Sequence, residues 1–347
     1  MKRWIFAAFI ALFAIPTAHA RPVALFYVTN DPASIRSFLA HSSQIDLLVP
    51  AWYHVDENGL VTGAPNPLVL AHAHGKVPIM PIVGLFDKKK FHILASSPRA
   101  QDEMNAAMIR ESRIHGYIGF QFDFENIDWT DRDMLTALVQ RSAEAMHKAG
   151  LKLSIATVPN APGYPGAGGF AKWIYTDWRG AYDLAAIARS VDLVCLMTYD
   201  QHTRWTVPGP VAGWHWTVEN LNYALKVVPP EKLSLGIPLY GYHWYTGAPT
   251  LDPHTGKYTP HPTANYISAP DALLLGKTYN GKIQWDPLDH SAFTYFYRDQ
   301  MREWIFFTDA HTFEDRYKLV EQKGIQGFCS WVLGQEDPSI WALLPKH

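Results

Sequence analysis

The sequence predicts an α/β fold, a (β/α)8 TIM barrel with a small β-rich insertion between strands 7 and 8. Eight apolar, β-type runs recur along the 347 residues, and segments with helical periodicity separate most of them. Such βα units favour a parallel sheet, and a series of this total length favours one closed barrel. Residues 245–301 interrupt the rhythm with a composition rich in Pro, Gly, Tyr and Thr, and we interpret them as the inserted lobe.

The first half of the chain predicts four strands and two well-marked helices. Asp31 is placed to cap a helix over residues 31–41. Ser97 followed by Pro98 begins a second helix over residues 97–115, with apolar residues at helical spacing. The four strand-like runs span residues 23–28, 45–52, 77–85 and 117–124.

The second half repeats the pattern up to the carboxyl terminus. A long helix over residues 131–148 ends at Gly150, since glycine readily adopts the left-handed conformation that closes a helix. The other predicted helices cover residues 181–189, 218–227 and 312–323. The remaining strand-like runs span residues 151–158, 191–199, 233–240 and 325–333.

The fourth predicted strand carries the most informative pattern. Gln121, Asp123 and Glu125 alternate with three phenylalanines, so the amide and both carboxylates share one face of the strand. Two carboxylates this close raise at least one pKa when partly buried, which suits a general acid. A solvated edge strand is the alternative, but the apolar sequence on both sides favours a core position.

Other candidate site residues lie where further strands end. Active sites of such barrels form at the carboxyl ends of the strands. Glu125 ends the fourth strand, Tyr199 and Asp200 end the sixth, and Trp331 lies near the end of the eighth. Tyr27 ends the first strand and is expected to border the same site.

The amino terminus has the features of a secretion signal. Lys2 and Arg3 precede an apolar run, and Ala18-His19-Ala20 fits a small-residue cleavage site. The pattern predicts a signal peptide over residues 1–20, a mature chain over residues 21–347 and a secreted or periplasmic location. The run is short for a membrane span, so no membrane insertion is expected after cleavage, although an uncleaved anchor is the alternative.

Charge and aromatic content indicate the class of partner. Removing Lys2 and Arg3 lowers Lys+Arg from 30 to 28 against 32 Asp+Glu, which gives the mature chain a formal charge of −4. This balance argues against nucleic acid or an anionic membrane as the main partner. The 13 tryptophans exceed the usual needs of a core, and flat aromatic faces commonly hold sugar rings.

Cysteine and histidine patterns leave two further questions open. Cys195 and Cys329 both lie in apolar, strand-like runs, so we expect them to be unpaired, with a disulfide as the alternative. His72 and His74 have the spacing of a metal-dependent hydrolase motif, but they precede the third strand instead of ending the first. We therefore expect no metal and no other cofactor.

Several motifs together resemble family 18 glycoside hydrolases, the chitinase-like family. Asp123-Phe124-Glu125 resembles the Asp-x-Glu that ends the family's fourth strand, and Met197-Thr198-Tyr199-Asp200 resembles its sixth-strand signature. Trp331 matches the tryptophan closing the eighth strand, and Leu235 to Gly241 resembles the seventh. The resemblance covers nearly all of the mature chain.

The chain departs from the family motif at two positions. Ile118 and Gln121 stand where the full motif has acidic residues. Gln121-Phe122-Asp123-Phe124-Glu125 is similar to the motif of the branch that includes spore-cortex and other peptidoglycan-lytic N-acetylglucosaminidases. The segment from Pro208 to Ala212 also resembles that branch.

The resemblance implies a retaining mechanism in which the substrate's own acetamido group is the nucleophile. Glu125 would be the acid and base, Asp123 would hold the acetamido N–H, and Tyr199 would donate to its oxygen. Trp331 would be the floor under the sugar, with Met197, Asp200, Gln121 and Tyr27 as further substrate-binding candidates. The expected partner is an N-acetylated amino-sugar polymer or oligosaccharide, either chitin-like or peptidoglycan.

Two other functions remain open from the sequence. One is a non-catalytic, lectin-like barrel, although such proteins usually lack the acid that Glu125 provides. The other is a metal-dependent deacetylase, which would require the histidines to assemble a site. Tryptophans in the predicted loops are candidates for additional sugar subsites: Trp205, Trp214, Trp216 and Trp244.

Overall fold

A computed structural model describes residues 21–245, 256 and 264–347 of the chain. The predicted signal peptide at residues 1–20 lies outside the described residues, as do positions 246–255 and 257–263 of the predicted insertion. The strands described are β1 (Val23–Val28), β2 (Leu47–Pro50), β3 (Tyr53–Val55), β4 (Val61–Gly63), β5 (Ile82–Leu85), β6 (Gly119–Phe124), β7 (Lys152–Thr157), β8 (Leu193–Leu196), β9 (Leu233–Pro238), β10 (Tyr240–Trp244), β11 (Ala264–Ser268), β12 (Gln284–Asp286), β13 (Ser291–Arg298), β14 (Met301–Phe307) and β15 (Gly327–Trp331).

The main sheet is the predicted parallel barrel. Its strand order is β2-β1-β15-β9-β8-β7-β6-β5-β3-β4, and each pair is parallel except β3 with β4. The barrel closes between β2 and the segment leading into β5, where Leu48 forms a parallel bridge with Ile79. Met80 N donates to Leu48 O at 3.0 Å across this seam. The eight barrel strands are β1, β2, β5, β6, β7, β8, β9 and β15. Their carboxyl ends therefore meet at one mouth.

Helices alternate with the barrel strands and begin at the capping residues that the sequence predicts. The Asp31 side chain accepts from Ala33 N, and the Ser97 side chain accepts from Ala100 N. Among the described residues, no helix is both long and apolar enough to cross a membrane. The helices are α1 (Pro32–His41), α2 (Pro67–Ala73), α3 (Lys88–Ser96), α4 (Pro98–His115), α5 (Arg132–Lys148), α6 (Gly169–Ile174), α7 (Leu184–Ser190), α8 (Trp214–Ala224), α9 (Ala269–Thr278) and α10 (Ala310–Lys323).

Some elements between the second and fourth barrel strands were not predicted. The short strands β3 and β4 form an antiparallel hairpin at the barrel mouth, and helices α2 and α3 follow. Asp87 accepts hydrogen bonds from Lys89 N and Lys90 N and so begins α3. Three consecutive lysines obscured the apolar spacing of this helix, because only Phe91 and Leu94 of α3 are buried.

The chain between β9 and β15 forms a second sheet, which is five-stranded and antiparallel in the order β11-β10-β14-β13-β12. Its described strands run from Tyr240 to Phe307, and it also contains helix α9, which the expectation of a β-rich lobe omitted. Ala272 of α9 packs in one buried cluster with Ile305 and Phe307 of β14. Strand β10 begins two residues after β9 ends, so this sheet is joined closely to the barrel mouth.

The expectation that the two cysteines are unpaired is wrong. Cys195 of β8 and Cys329 of β15 form a disulfide, with their Cα atoms 6.2 Å apart. Strand β9 lies between these two strands in the sheet. The two cysteines are 134 residues apart in sequence, and only closure of the barrel brings them together.

Candidate active site

Strand β6 places the acidic residues as its alternation predicts. Phe120, Phe122 and Phe124 are all fully buried, and Gln121 and Asp123 are buried on the opposite face. Asp123 Oδ1 is buried and has no hydrogen-bond partner among the described residues. A buried carboxyl oxygen without a donor is unfavourable in the unliganded protein, so this atom is available to a substrate donor.

A cavity of about 210 Å³ lies at the end of β6 and brings together six of the eight predicted site residues. The six are Asp123, Glu125, Met197, Tyr199, Asp200 and Trp331. Trp178, Tyr240 and Tyr266 complete the lining. The cavity therefore combines acidic groups with a mainly aromatic wall, which is the chemistry expected of a sugar-binding pocket.

Gln121 and Tyr27 lie beneath this cavity instead of lining it. Both are almost completely buried, and the Tyr27 hydroxyl donates to Gln121 Oε1 at 2.7 Å. Gln121 Nε2 donates to Ser154 Oγ at 3.1 Å. Cys195 Sγ is the second acceptor near the Tyr27 hydroxyl, at 3.1 Å. In this geometry Gln121 and Tyr27 support the floor of the site, and direct substrate contact by either residue is not favoured.

The two carboxyls of the pair have raised pKa values. Burial raises the pKa of Asp123. Burial also raises the pKa of Glu125, and the negative charges of Asp123 and Asp200 raise it further. Since the carboxyls influence one another, the pair binds a proton near neutral pH as a unit. A protonated Glu125 at the cavity edge can act as a general acid.

Tyrosine hydroxyls from the second sheet hold Asp200. Tyr240 and Tyr242 of β10 donate to Asp200 Oδ1 at 2.6 and 3.1 Å. Asp200 has a positive φ of 59°, a conformation that aspartate and asparagine adopt more readily than most residues. Asp200 thus anchors the segment that follows β8 to the inserted sheet while its side chain also lines the cavity.

Tyr199 and Trp331 complete the predicted set. Burial raises the pKa of the Tyr199 hydroxyl well above its ordinary value, so it remains a hydrogen-bond donor at physiological pH. Trp331 ends β15 and packs on Tyr27, with ring centroids 5.3 Å apart. The peptide bond between Trp331 and Val332 is cis.

A larger cleft of about 860 Å³ continues from the cavity and shares Glu125, Asp200, Trp178 and Tyr266 with it. Of the four tryptophans predicted as possible subsites, only Trp205 lines this cleft. The other three are elsewhere. Trp214 stacks on His290, Trp216 lies in helix α8, and Trp244 is buried with its Nε1 donating to Thr206 O.

Sequence reasoning missed six aromatic residues that line the cavity or the larger cleft. Two of them, Phe170 and Trp173, come from α6. Tyr240, Tyr242 and Tyr266 come from the inserted sheet, and Trp178 comes from a π-helical turn at Tyr175–Arg179. The alternation of Tyr240, Tyr242 and Trp244 directly after β9 was a detectable signal, because it places them on one strand face. No comparable pattern marked Trp178.

The histidine pair has no metal-like surroundings. His72 lies in α2, where its Nε2 is 2.9 Å from Ser42 Oγ. Across the described ranges, no group of three or more His, Cys, Asp or Glu side chains is arranged to hold a metal ion. His74 directly follows the last residue of α2, so the spacing of His72 and His74 belongs to the carboxyl end of this helix.

Comparison with known proteins assigns the family. A family model described as glycosyl hydrolases family 18 matches residues 23–336. The chain belongs to glycosyl hydrolase family 18. The match extends from the first barrel strand past the last, so it includes every residue of the cavity. As a family 18 member the protein is a glycosidase, and the predicted resemblance and barrel fold are confirmed.

Two curated relatives cover most or all of the chain. The uncharacterized glycosylase YvbX of Bacillus subtilis (strain 168) is 24% identical over 100% of this chain and 99% of its own length. The cortical fragment-lytic enzyme of the same organism is 25% identical over 84% of this chain. That alignment covers 65% of the relative, so this chain spans just under two thirds of that enzyme.

Solved structures share the fold. The spore cortex-lytic enzyme SleL of Bacillus megaterium QM B1551 has a TM-score of 0.79 and 22% identity, covering 94% of this chain and 74% of SleL. A chitinase from Chromobacterium violaceum ATCC 12472 has a TM-score of 0.79 and 24% identity, covering 92% of this chain and 97% of that structure. At these identities the likeness supports the barrel architecture.

Proposed function

We propose that this family 18 protein is an exported hydrolase that cleaves β-linked, N-acetylglucosamine-containing polysaccharide by a retaining, substrate-assisted mechanism. The single observation that carries the proposal is the cavity at the end of β6. There Glu125, with its raised pKa, and Asp123, with an unpartnered Oδ1, face the same space as Tyr199 and Trp331. Relatives named as chitinases and as cortical fragment-lytic enzymes support both polymer classes.

In the proposed first step, Glu125 transfers its proton to the glycosidic oxygen as the bond to the anomeric carbon breaks. The carbonyl oxygen of the substrate's 2-acetamido group attacks that carbon and forms an oxazolinium ion. Asp123 Oδ1 accepts from the acetamido N–H, and the Tyr199 hydroxyl donates to the acetamido oxygen. These contacts strengthen as charge develops, which is the requirement for catalysis.

In the second step, the ionised Glu125 takes a proton from water as the water oxygen attacks the anomeric carbon. The acetamido group is released, and the sugar keeps its original anomeric configuration. Trp331 provides a flat apolar surface under the reacting ring, since it lines the cavity at the end of β15. Because the nucleophile belongs to the substrate, the reacting sugar must be N-acetylated.

Export is a part of the proposal that rests on the sequence of residues 1–20. Expression of the full chain in a bacterium with a secretion pathway, followed by amino-terminal sequencing of the exported product, tests it. A product beginning at Arg21 supports cleavage after Ala20, whereas an intact amino terminus would remove the cleavable signal from the proposal.

Product analysis by mass spectrometry tests the activity. The protein and its Glu125→Gln variant are incubated separately with N-acetylated chitooligosaccharides and with peptidoglycan, and products are followed over time. Cleavage of either substrate by the wild type but not by the variant supports the proposal. Comparable turnover in both proteins would refute the role of Glu125, and sugar binding without turnover would favour the lectin-like alternative.

A further inference from the structure

Arg179 is a half-buried cation in the larger cleft, and no anion among the residues that the structure describes pairs with it. It ends the π-helical turn Tyr175–Arg179 and lines the cleft together with Glu125. Its Nε is buried, and the side chain forms no hydrogen bond or ion pair with any described residue. Its guanidinium lies over the Trp178 ring, 5.6 Å from the ring centroid. An arginine in this condition is unfavourable without a ligand.

Other charges in the cleft do not satisfy Arg179. Lys88 and Asp177 form an ion pair with each other at 3.0 Å. Glu219 is near enough to influence the pKa of Arg179, but the two side chains form no ion pair in the described structure. A planar guanidinium matches a carboxylate through two parallel hydrogen bonds, which makes a carboxylate the best-fitting partner.

The position of Arg179 indicates which part of a substrate would carry that carboxylate. Under the proposed function, on which this step rests, the sugar with the reacting anomeric carbon occupies the 210 Å³ cavity. Glu125 lines both spaces, and the bond it protonates crosses from the cavity into the cleft. The leaving-group sugar therefore lies in the cleft, where Trp173 and Trp205 offer exposed aromatic surface.

We propose that Arg179 is a specificity-determining residue that binds a carboxylate on the leaving-group side of the scissile bond. The substrate class is an amino-sugar polymer with acidic substituents, as opposed to neutral chitin. N-acetylmuramic acid linked to N-acetylglucosamine has this chemistry, because its lactyl ether ends in a carboxylate. In peptidoglycan strands that carry stem peptides, the lactyl carboxyl forms an amide bond with the peptide. The peptide then supplies carboxylates of its own.

The test compares kcat/KM for matched glycans with and without the acid. The first substrate is a tetrasaccharide of alternating N-acetylglucosamine and N-acetylmuramic acid with free lactyl carboxylates, and the second is the same glycan with those carboxyls converted to methylamides. Wild-type protein should prefer the acid. In Arg179→Gln the acid-to-amide ratio of kcat/KM should fall about 10- to 100-fold, because the charged hydrogen bond is lost. Arg179→Lys should retain part of the preference, because lysine keeps the charge but not the two parallel hydrogen bonds.

The control is Arg189→Gln, which removes the same charge from an exposed position near the end of α7. Its acid-to-amide ratio should equal that of the wild type. A third glycan bearing stem peptides identifies the source of the carboxylate, since preference for it over the free acid assigns the contact to the peptide. An acid-to-amide ratio that is unchanged in Arg179→Gln would overturn the proposal. So would a wild type that prefers neither the free lactyl acid nor the stem-peptide glycan over the methylamide.

Failure of the proposed function gives a different result from failure of this inference. If the wild type cleaves none of the glycans, binding of the acid and amide forms is measured by calorimetry. Acid-selective binding that Arg179→Gln weakens would support the Arg179 assignment while the glycosidase mechanism falls. Equal binding of both forms, or no binding, would refute the assignment as well.

Discussion

The Tyr27 hydroxyl donates a hydrogen bond to Gln121 Oε1 at 2.7 Å, beneath the cavity that Asp123 and Glu125 line. Both polar atoms of the Gln121 amide have a hydrogen-bond partner, since its amide nitrogen donates to Ser154 Oγ. Position 121 is acidic in the full family motif, and here it is a neutral amide, so this position adds no third carboxyl below Asp123. The proton shared near neutral pH is consequently distributed between Asp123 and Glu125.

Tyr27→Phe should destabilise the protein. The substitution removes the hydroxyl and leaves the buried Gln121 Oε1 without its donor, which typically costs about 1–3 kcal/mol of unfolding free energy. Urea unfolding followed by circular dichroism measures the change. Tyr164→Phe is the control, because Tyr164 is 61% exposed. Equal stability of both variants would show that the Tyr27–Gln121 hydrogen bond contributes nothing measurable.

Glu125→Gln should stabilise the protein at alkaline pH. The native pKa of Glu125 lies above its unfolded value near 4.3, so the native state binds this proton more tightly. The free energy of unfolding of the wild type therefore falls as pH rises from about 4 through the raised pKa. Below about pH 4 both states are protonated and the effect vanishes.

The measurement is the unfolding free energy of wild type and Glu125→Gln at several pH values. The pKa of Glu125 is raised to about 8, and each pKa unit corresponds to about 1.4 kcal/mol, so we expect the variant to gain several kcal/mol at pH 9 relative to its difference at pH 4. Asp123→Asn should change in the same direction, because burial raises the pKa of Asp123 also. Parallel stability curves for wild type and both variants would contradict the raised pKa values.

Asp200→Asn should move the alkaline limit of activity to lower pH. Asp200 is one of the negative charges that raise the pKa of Glu125, and its removal lets Glu125 lose its proton earlier. Asparagine keeps an oxygen for the Tyr240 and Tyr242 hydroxyls and tolerates the positive φ. The shift should be about one pH unit or less, seen in kcat/KM against pH. An alkaline limit of activity at an unchanged or higher pH would exclude this influence of Asp200.

Replacing both cysteines with alanine should lower the unfolding free energy by about 2–5 kcal/mol, because the disulfide closes a long loop in the unfolded chain. Urea unfolding measures the loss. Intact mass after alkylation without reductant provides the check on the wild type. Cys195 and Cys329 are both fully buried, so alkylation should require reduction together with unfolding. Free thiols in the unreduced, unfolded protein would disprove the pairing.

The sequence predicted the features that depend on local periodicity. Strict alternation placed Gln121 and Asp123 on one face of β6, and the structure confirms this. Glu125 directly follows the strand and lines the same cavity as Asp123. Helix starts at Asp31 and Ser97 were also predictable, since capping involves residues two or three positions apart. The order of strands and helices then sufficed for the barrel.

Features between distant segments were not predictable in the same way. Gln121 and Tyr27 were expected to contact substrate, but neither lines the cavity. Tyr27 packs on Trp331 and donates to Gln121 below it. Helix α9 was hidden in a segment whose composition favoured strands. Tyr266 reaches the site only because β11 pairs with β10, which is a relation of register between separate segments.

The barrel, the acidic pair and the family were predictable, because each depends on short spacings and on the order of strands. The pairing of Cys195 with Cys329, the tyrosine contacts to Asp200 and the position of Arg179 in the cleft were visible only in the folded chain. These depend on which segments meet when the barrel closes and the second sheet packs at its mouth. Contacts between residues far apart in sequence leave no periodic trace in either segment.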